Sequence, residues 1–533
     1  MKAEIANIIK EGKATLGIEF GSTRIKAVLI DDRYNPIAQG VHDWENQFAN
    51  GLWTYSLEAI RYGLQDCYAS LRSNVKDLYD VEIETLAAIG ISAMMHGYMP
   101  FDAEGNMLAP FRTWRNTNTG RAAAELSHLF NFNIPLRWSI AHLYQAILDN
   151  EPHVRDISFL TTLAGYIHWQ LSGEKVLGIG DASGMLPIDS EKRDYREDMI
   201  EKFDELVEPK GFPWKLSAIL PRVLNAGEAA GRLTESGAAL LDVSGNLRPG
   251  VSLCPPEGDA GTGMVATNAV LPCTGNVSAG TSSFSMIVLE KQLSRPYEVI
   301  DMVTTPDGYP VAMVHCNNCT SDINAWVGIF KEFQQKLGIP VDMNHLFGVL
   351  FNAALEGNAD CGGIISYNFF SGEPVAGLES GRPMVIRSAG DRFNLANFMR
   401  ANLYATVAVL KIGNDILFND EKVKVDRITG HGGLFKTPGV GQRILAAALN
   451  SPISVMETAG EGGAWGIALL ASYMTDGNGR TLPEFLEQNV FLGSTGTEVK
   501  PEAGDVAGFD AYLKEYKRCL PVEHTAVSVK AGN

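Results

Sequence analysis

The alternation of apolar and polar positions divides the chain into short strands and longer helices, the rhythm of an α/β protein. Residues 1–13 have helical spacing and predict a short amphipathic helix ahead of the core. Two apolar runs, 16–20 and 25–32, flank the small-residue turn Gly21-Ser22-Thr23-Arg24 and predict a hairpin. Helical spacing over 51–71 precedes an apolar strand at 86–93, and 121–200 reads largely as helices with a glycine-containing turn at 171–185. The stretch 246–261 leads through an apolar strand into PPEGDAGTGM at 255–264. There Asp259, between Gly258 and Ala260, is expected on a loop with little bulk around it, free to approach a substrate. A second hairpin follows at 274–289, with Gly280, Thr281, Ser282 and Ser283 at its turn, and the connector between the two reads as a hinge. Beyond lie a glycine-punctuated loop at 361–375, a long helix at 395–417, a strand at 425–430 running into a glycine turn and helix, and a glycine-opened helix at 460–472.

The two hairpins are the organising feature. Each half begins with the same small hydroxyl-bearing turn between apolar strands, which predicts a duplicated α/β domain with two phosphate-facing hairpins opposed across a cleft. Backbone N–H groups and hydroxyls at such turns suit a phosphate. Glu19 ends the first strand, where a carboxylate would hold Mg²⁺ through water, or stand as a solvated strand-end acid. The strand ending in Met94, Met95, His96 and Gly97 brings an imidazole and a close-approach glycine to the carboxyl edge of a sheet, where open α/β sheets bind ligands. Trp114, Arg115, Asn116 and Asn118 add an aromatic wall with amide and guanidinium donors, a combination suited to a polyhydroxylated ligand. Asp181 and Ser183 line the same cleft or cap a helix, the cap being favoured. Glycines 430, 432 and 433 would let a flat base or its ribose lie against backbone, with the helix at 460–472 as a second wall of that pocket.

Composition narrows the class. A length of 533 residues predicts two or more domains, and 45% apolar with 20% charged residues is ordinary for a soluble protein with a sizeable core. A net charge of −18 argues against nucleic acid and for anions met only at local sites. No apolar run approaches a membrane span and the N-terminus carries no signal-peptide core, so a cytoplasmic protein is expected, with a homodimer left open. Seven cysteines fit reduced thiols; Cys316 and Cys319 form the single CxxC, without the second pair a zinc site needs. There is no GxxxxGK[ST], no GxGxxG after a strand and no GxSxG, which removes P-loop, dinucleotide and nucleophile-elbow readings.

Taken in order, GIEFGSTRIKAVLID, MMHG, TWRNTNT, EGDAGTG, SAGTSS, NFFSGE, and TGHGGLFKTP with GEGGAWGIALLA resemble the FGGY family of carbohydrate kinases over about residues 15–475. The resemblance implies two ribonuclease-H-like domains of the actin-like ATPase superfamily, here 1–270 and 271–533, closing on ATP, Mg²⁺ and a sugar. It implies Asp259 as catalytic base, with Met95, His96, Gly97, Trp114, Asn116 and Ala260 at the sugar. Gly21, Ser22, Thr23 and Lys26 fall on the first phosphate loop, Gly280, Thr281 and Ser282 on the second, Gly432, Gly433 and Leu434 at the adenosine, and Glu19 at the metal. The MHG at 95–97 is similar to that of xylulose-phosphorylating members, and the Arg-Glu pair of the glycerol-phosphorylating ones is missing. The implied acceptor is a ketopentose, xylulose first; Glu19 stands for the family's Asp at the metal, and Ala260 for Asn with Asn116 and Asn118 for Asp and Arg are departures at sugar-facing positions that keep L-ribulose or another keto-sugar as alternatives. A kinase for a signalling molecule such as autoinducer-2, a degenerate sugar-sensing regulator and an ATPase that works by changing shape are the rival readings.

Overall fold

The computed structural model describes residues 2–456, 462–494 and 496–529. Two mixed sheets face each other, each built outward from one of the hairpins. In the first, Thr15–Phe20 runs antiparallel to Arg24–Ile30, which pairs with Pro36–Asp43. On its other side Thr15–Phe20 lies parallel to Ala88–Ala93, whose far edge pairs, also in parallel, with the two-residue strands Ser252–Leu253 and Glu257–Gly258. In the second, Thr274–Ala279 and Ser283–Val288 form the hairpin, Pro310–Cys316 and Asp301–Thr304 extend it on one side, and Arg427–His431 lies parallel to Thr274–Ala279 on the other, followed by Ile453–Met456 and Gly496–Val499. The central strands are buried on both faces, which is why they read as near-continuous apolar runs.

The duplication extends further than the hairpins. The parallel neighbour of each hairpin ends in His-Gly, His96-Gly97 after Ala88–Ala93 and His431-Gly432 at the end of Arg427–His431. Both glycines are in the positive-φ region, at 123° and 101°, and His96 itself has φ 69°. Residues held in such sparsely populated conformations gather where a chain must present groups to a ligand.

Some elements differ from their sequence reading. The helix expected over 51–71 is Leu57–Tyr79, because Ser56 caps it by accepting from Ala59 N–H at 3.0 Å, while Leu52–Thr54 pairs with Gln47–Ala49. The stretch 121–200 holds the helices Gly120–Phe130, Ser139–Leu148, Leu163–Ser172 and Glu197–Val207, interrupted by short strands. The loop expected at 361–375 contains the strand Ile365–Tyr367.

The largest difference concerns Gly462–Asp476. This late helix packs on Thr15–Phe20, on Ala88–Ala93 and on the helix Asp259–Ala266, and its apolar residues share a core with Val28, Ile30 and Ala88 of the first sheet and Met286 and Val311 of the second. Glycines permit the approach: a Cβ at Gly17 would lie 2.0 Å from the Ala464 carbonyl oxygen, and one at Gly466 2.0 Å from that of Thr262. The chain thus crosses back late, and a helix from the 271–533 part packs on the first sheet. Gly460 and Glu461, the start of the glycine-rich motif, lie outside the described residues.

Candidate active site

Between the sheets lies a cavity of about 400 Å³ whose walls come from both halves: Glu19, Ser22, Met95, His96, Trp114, Asp259 and Ala260 from the first, and Asn276, Ser278, Ser282, Phe284, Met313, His315 and His431 from the second. Both hairpin turns thus reach one space. Gly21 and Ser22 are held from behind by aromatics: Trp44 Nε1 donates to the Gly21 carbonyl at 2.8 Å, Tyr55 Oη to the Ser22 carbonyl at 2.5 Å, and Trp114 Nε1 to Ser22 Oγ at 3.0 Å. The second turn is closed by Gly280 N–H donating to Ser282 O at 2.9 Å, and Thr320 Oγ1 donates to the Gly280 carbonyl at 2.7 Å. Thr23 and Thr281 are exposed at the tips of their turns.

Asp259 was expected on an open loop; it is instead the first residue of the helix Asp259–Ala266, directly after Gly258. The reason is electrostatic, because the unpaired N–H groups and dipole of a helix start favour a carboxylate there. Its Oδ1 accepts from Met95 N–H at 3.0 Å. Burial raises the Asp259 carboxyl above its usual range, opposed by the backbone N–H groups of Met95 and Ala260. Glu19 stands beside it, with Oε2 accepting from Ala464 N–H at 3.2 Å. Burial, and then Asp259, push the Glu19 carboxyl up to about 7, with Lys26 across the hairpin acting to lower it.

The acceptor end is lined by neutral imidazoles. Burial, followed by the Arg137 charge, takes His96 well below its ordinary value and His315 down to about 3. His96 Nδ1 lies 3.3 Å from the Gly184 carbonyl, so that nitrogen carries the proton and Nε2 is a bare acceptor. Gly97 does not reach the cavity; it makes the bend, and a Cβ there would meet the Phe111 ring at 2.8 Å. Asn116 is a clear correction. Its Oδ1 accepts from Trp53 N–H at 2.9 Å and its Nδ2 donates to the Trp53 and Thr113 carbonyls at 2.8 and 3.0 Å, so the amide is spent on backbone rather than on a sugar.

Gly433 and Leu434 line a second cavity of about 480 Å³ with Thr320, Asn324, Phe347 and Lys436. Gly432 packs against the end of the second hairpin's first strand, where a Cβ would lie 2.6 Å from Ala279 O. The helix at 460–472 was expected as the second wall of this pocket. Its Gly462 and Gly463 instead line the central cleft beside Glu19.

Arg137, Phe284, Met313 and His315 were missed by the sequence reading, because nothing in their local pattern marks them; only the facing of the two halves brings them to the cleft. Arg137 also pairs with Asp301 of the second half. Of the two readings of Asp181 and Ser183, the cap holds for Ser183, which ends the short helix Ile179–Ala182 and donates from Oγ to Gly180 O at 2.6 Å, while Asp181 lies within that helix and its Oδ2 accepts from Thr162 Oγ1 at 2.6 Å. All seven cysteines are free, and Cys316 and Cys319 are buried.

The buried acids set a pH dependence. Burial raises Glu19 and Asp181 to about 7 and Glu257 to about 8, above the ~4 of free carboxylates, so each favours the fold while protonated and that contribution is lost as pH rises through the folded value. The buried histidines act in the opposite sense, but their effect is complete above the free value of about 6.5. The ligand-free protein should therefore lose roughly 2–5 °C of Tm between pH 6.5 and 8.5, read by thermal melts. A flat or rising Tm over that window would refute the assignment.

Two hairpin turns from opposed, duplicated α/β halves, meeting in one cleft with the carboxylates of Asp259 and Glu19, define a two-domain phosphotransferase of the actin-like ATPase fold. The chain belongs to the FGGY family of carbohydrate kinases: the family's N-terminal domain matches residues 14–247 and its C-terminal domain residues 275–475. It is similar to the xylulose kinase of Haemophilus influenzae, 22% identical over 94% of this chain and 98% of that protein. Its fold matches a ligand-bound xylulose kinase from Lactobacillus acidophilus with a TM-score of 0.77 and 15% identity over 97% of this chain and 99% of that one. A gluconate kinase from the same organism also matches at 0.77, with 15% identity over 97% and 98%. The protein is a sugar phosphotransferase, and the phosphate donor of its family is ATP. Among the described residues no helix is long and apolar enough to cross a membrane.

Proposed function

We propose that the chain transfers the γ-phosphate of ATP to a primary hydroxyl of a ketopentose, with xylulose as the first acceptor and L-ribulose as the alternative. The observation that carries this reading is Asp259, placed at a helix start in a cleft lined by both phosphate-type turns. As the acceptor oxygen bonds to phosphorus and the bond to ADP breaks, the hydroxyl proton passes to the Asp259 carboxylate. Trp114, Met95 and His96 hold the sugar, His96 accepting from a hydroxyl through Nε2. Ser22 and Ser282 approach the phosphates from opposite sides, so positioning supplies most of the rate.

The nucleotide fits the residues present. Asn276 Oδ1 and His431 Nε2 are buried polar atoms at the cleft without a partner among the described residues, and the Gly433–Leu434 cavity suits a flat base. Magnesium also fits the donor set: the carboxylates of Glu19 and Asp259 both line the cleft, and Mg²⁺ is usually held by one or two carboxylates together with phosphates. Glu19 would hold it, and the bound ion would neutralise charge on the β and γ phosphates. Seven free thiols support a cytoplasmic setting.

A coupled ATP assay across ketopentoses, ketohexoses, polyols, glycerol and gluconate tests the acceptor. The expected result is the highest kcat/KM with xylulose, and a polyol or sugar acid turned over at least tenfold better would overturn it. Sugar-independent ATP hydrolysis as fast as transfer would instead favour a shape-changing ATPase.

A further inference from the structure

Behind the base lies a pair of carboxylates that the transfer just described does not use. Glu257, two residues before Asp259, is buried and turns away from the cleft. Its Oε1 accepts from Gly180 N–H at 3.2 Å and its Oε2 from Asp181 N–H at 2.9 Å, both on the short helix Ile179–Ala182. The fit is close, since Cβ atoms at Gly178 and Gly180 would come within 2.2 and 2.4 Å of the Glu257 carboxylate. Asp181 Oδ1 has no protein partner among the described residues and faces Gly258, where a Cβ would lie 3.2 Å away.

The same short helix is gripped from its other side by the second half of the molecule. Thr304 N–H donates to Ser183 Oγ at 3.1 Å, and Thr304 Oγ1 donates to the Ile179 carbonyl at 3.0 Å. A continuous path of hydrogen bonds and backbone therefore runs from the strand Asp301–Thr304 through Ile179–Ala182 to Glu257, and through Gly258 to Asp259. Burial, then the neighbouring acid, raises Glu257 to about 8, so this carboxylate is a costly group to keep inside. What it supplies, and an apolar side chain of similar size lacks, is a two-pronged grip on backbone N–H groups.

We propose that Glu257 is a positioning residue for phosphoryl transfer, coupling the placement of the base Asp259 to the position of the second half through the helix Ile179–Ala182. The proposal rests on Asp259 acting as the base. Reacting atoms must meet within a few tenths of an ångström, and a misplacement of about 1 Å costs on the order of 10²-fold in rate. Tying the base to the opposite half lets domain closure set that distance.

The test compares Glu257→Gln, Ser183→Ala and the double variant with the wild-type full chain, using MgATP and the best acceptor from the panel above. Gln keeps one accepting oxygen and sets an amide N–H₂ against the second backbone N–H. Glu257→Gln should lower kcat by ~10–100-fold and Ser183→Ala by ~3–10-fold, with both KM values within about threefold of wild type. The double variant should be no slower than Glu257→Gln alone, because both cut one path, a pattern that simple loss of stability does not give. A folded Glu257→Gln within twofold of wild-type kcat, or losses in kcat that add in the double variant, overturns the proposal. If Glu257→Gln does not fold, Ser183→Ala decides alone, and wild-type kcat there overturns it. Asp259→Asn assayed in parallel separates the two readings. Retained turnover in that variant removes the base and this proposal with it, whereas lost turnover beside an unaffected Glu257→Gln removes the positioning role only.

Discussion

Asp259→Asn is expected to leave the fold and ATP affinity in place while sugar phosphorylation falls by ~10²–10⁴-fold. The amide oxygen of Asn still accepts from Met95 N–H, so the contact that orients the side chain survives. What disappears is the capacity to take the acceptor's proton. The substitution also removes a buried charge beside Glu19, whose carboxyl Asp259 raises, so stability should hold or rise slightly. Steady-state kcat with the best acceptor, nucleotide binding by calorimetry and a thermal melt together check this result. Turnover at the wild-type level would remove Asp259 from the role.

The second large effect belongs to a residue that touches no substrate. Gly466→Val should cost roughly 1–3 kcal/mol of stability and most of the activity, because even its Cβ would lie 2.0 Å from the Thr262 carbonyl oxygen. That oxygen is backbone within the helix Asp259–Ala266 and has no free rotation by which to yield. The helix Gly462–Asp476 would have to separate from the base-bearing helix, taking Gly463 away from Glu19 and opening the wall of the cleft. Gly328→Ala is the matched control: it lies in the helix Ser321–Lys336 with nothing within 4 Å of its Cβ position, so it should be neutral or stabilising by up to about 1 kcal/mol. Denaturant melts of both variants, with kcat measured alongside, check the contrast. A Gly466→Val protein as stable as Gly328→Ala would show that the seam between these helices is loose.

The elements that could be read from sequence share one property: their signal is local. The apolar runs around Gly21-Ser22-Thr23 and Gly280-Thr281-Ser282 break at a small-residue turn within about twenty residues, so both hairpins were legible. Asp259 was legible as a reactive carboxylate because glycine and alanine flank it, although its place at a helix start rather than on a loop was not. Asn116 misled, since an amide beside Trp114 has the same composition whether it faces a ligand or the Trp53 backbone. Glu257 stood in plain view in the EGDAG motif, but its partners Gly180 and Asp181 lie more than seventy positions earlier.

The chain by itself determined the two halves, their hairpins, the strands beside them and the carboxylate at the centre, because periodicity and small-residue turns act over a few neighbouring residues. Only the tertiary structure decided that Gly462–Asp476 returns to the first sheet, that Arg137 and His315 meet across the cleft, and that Glu257 grips Ile179–Ala182. Those outcomes depend on which surfaces approach closely enough to exclude water and satisfy one another's polar groups, a property of segments far apart in the chain.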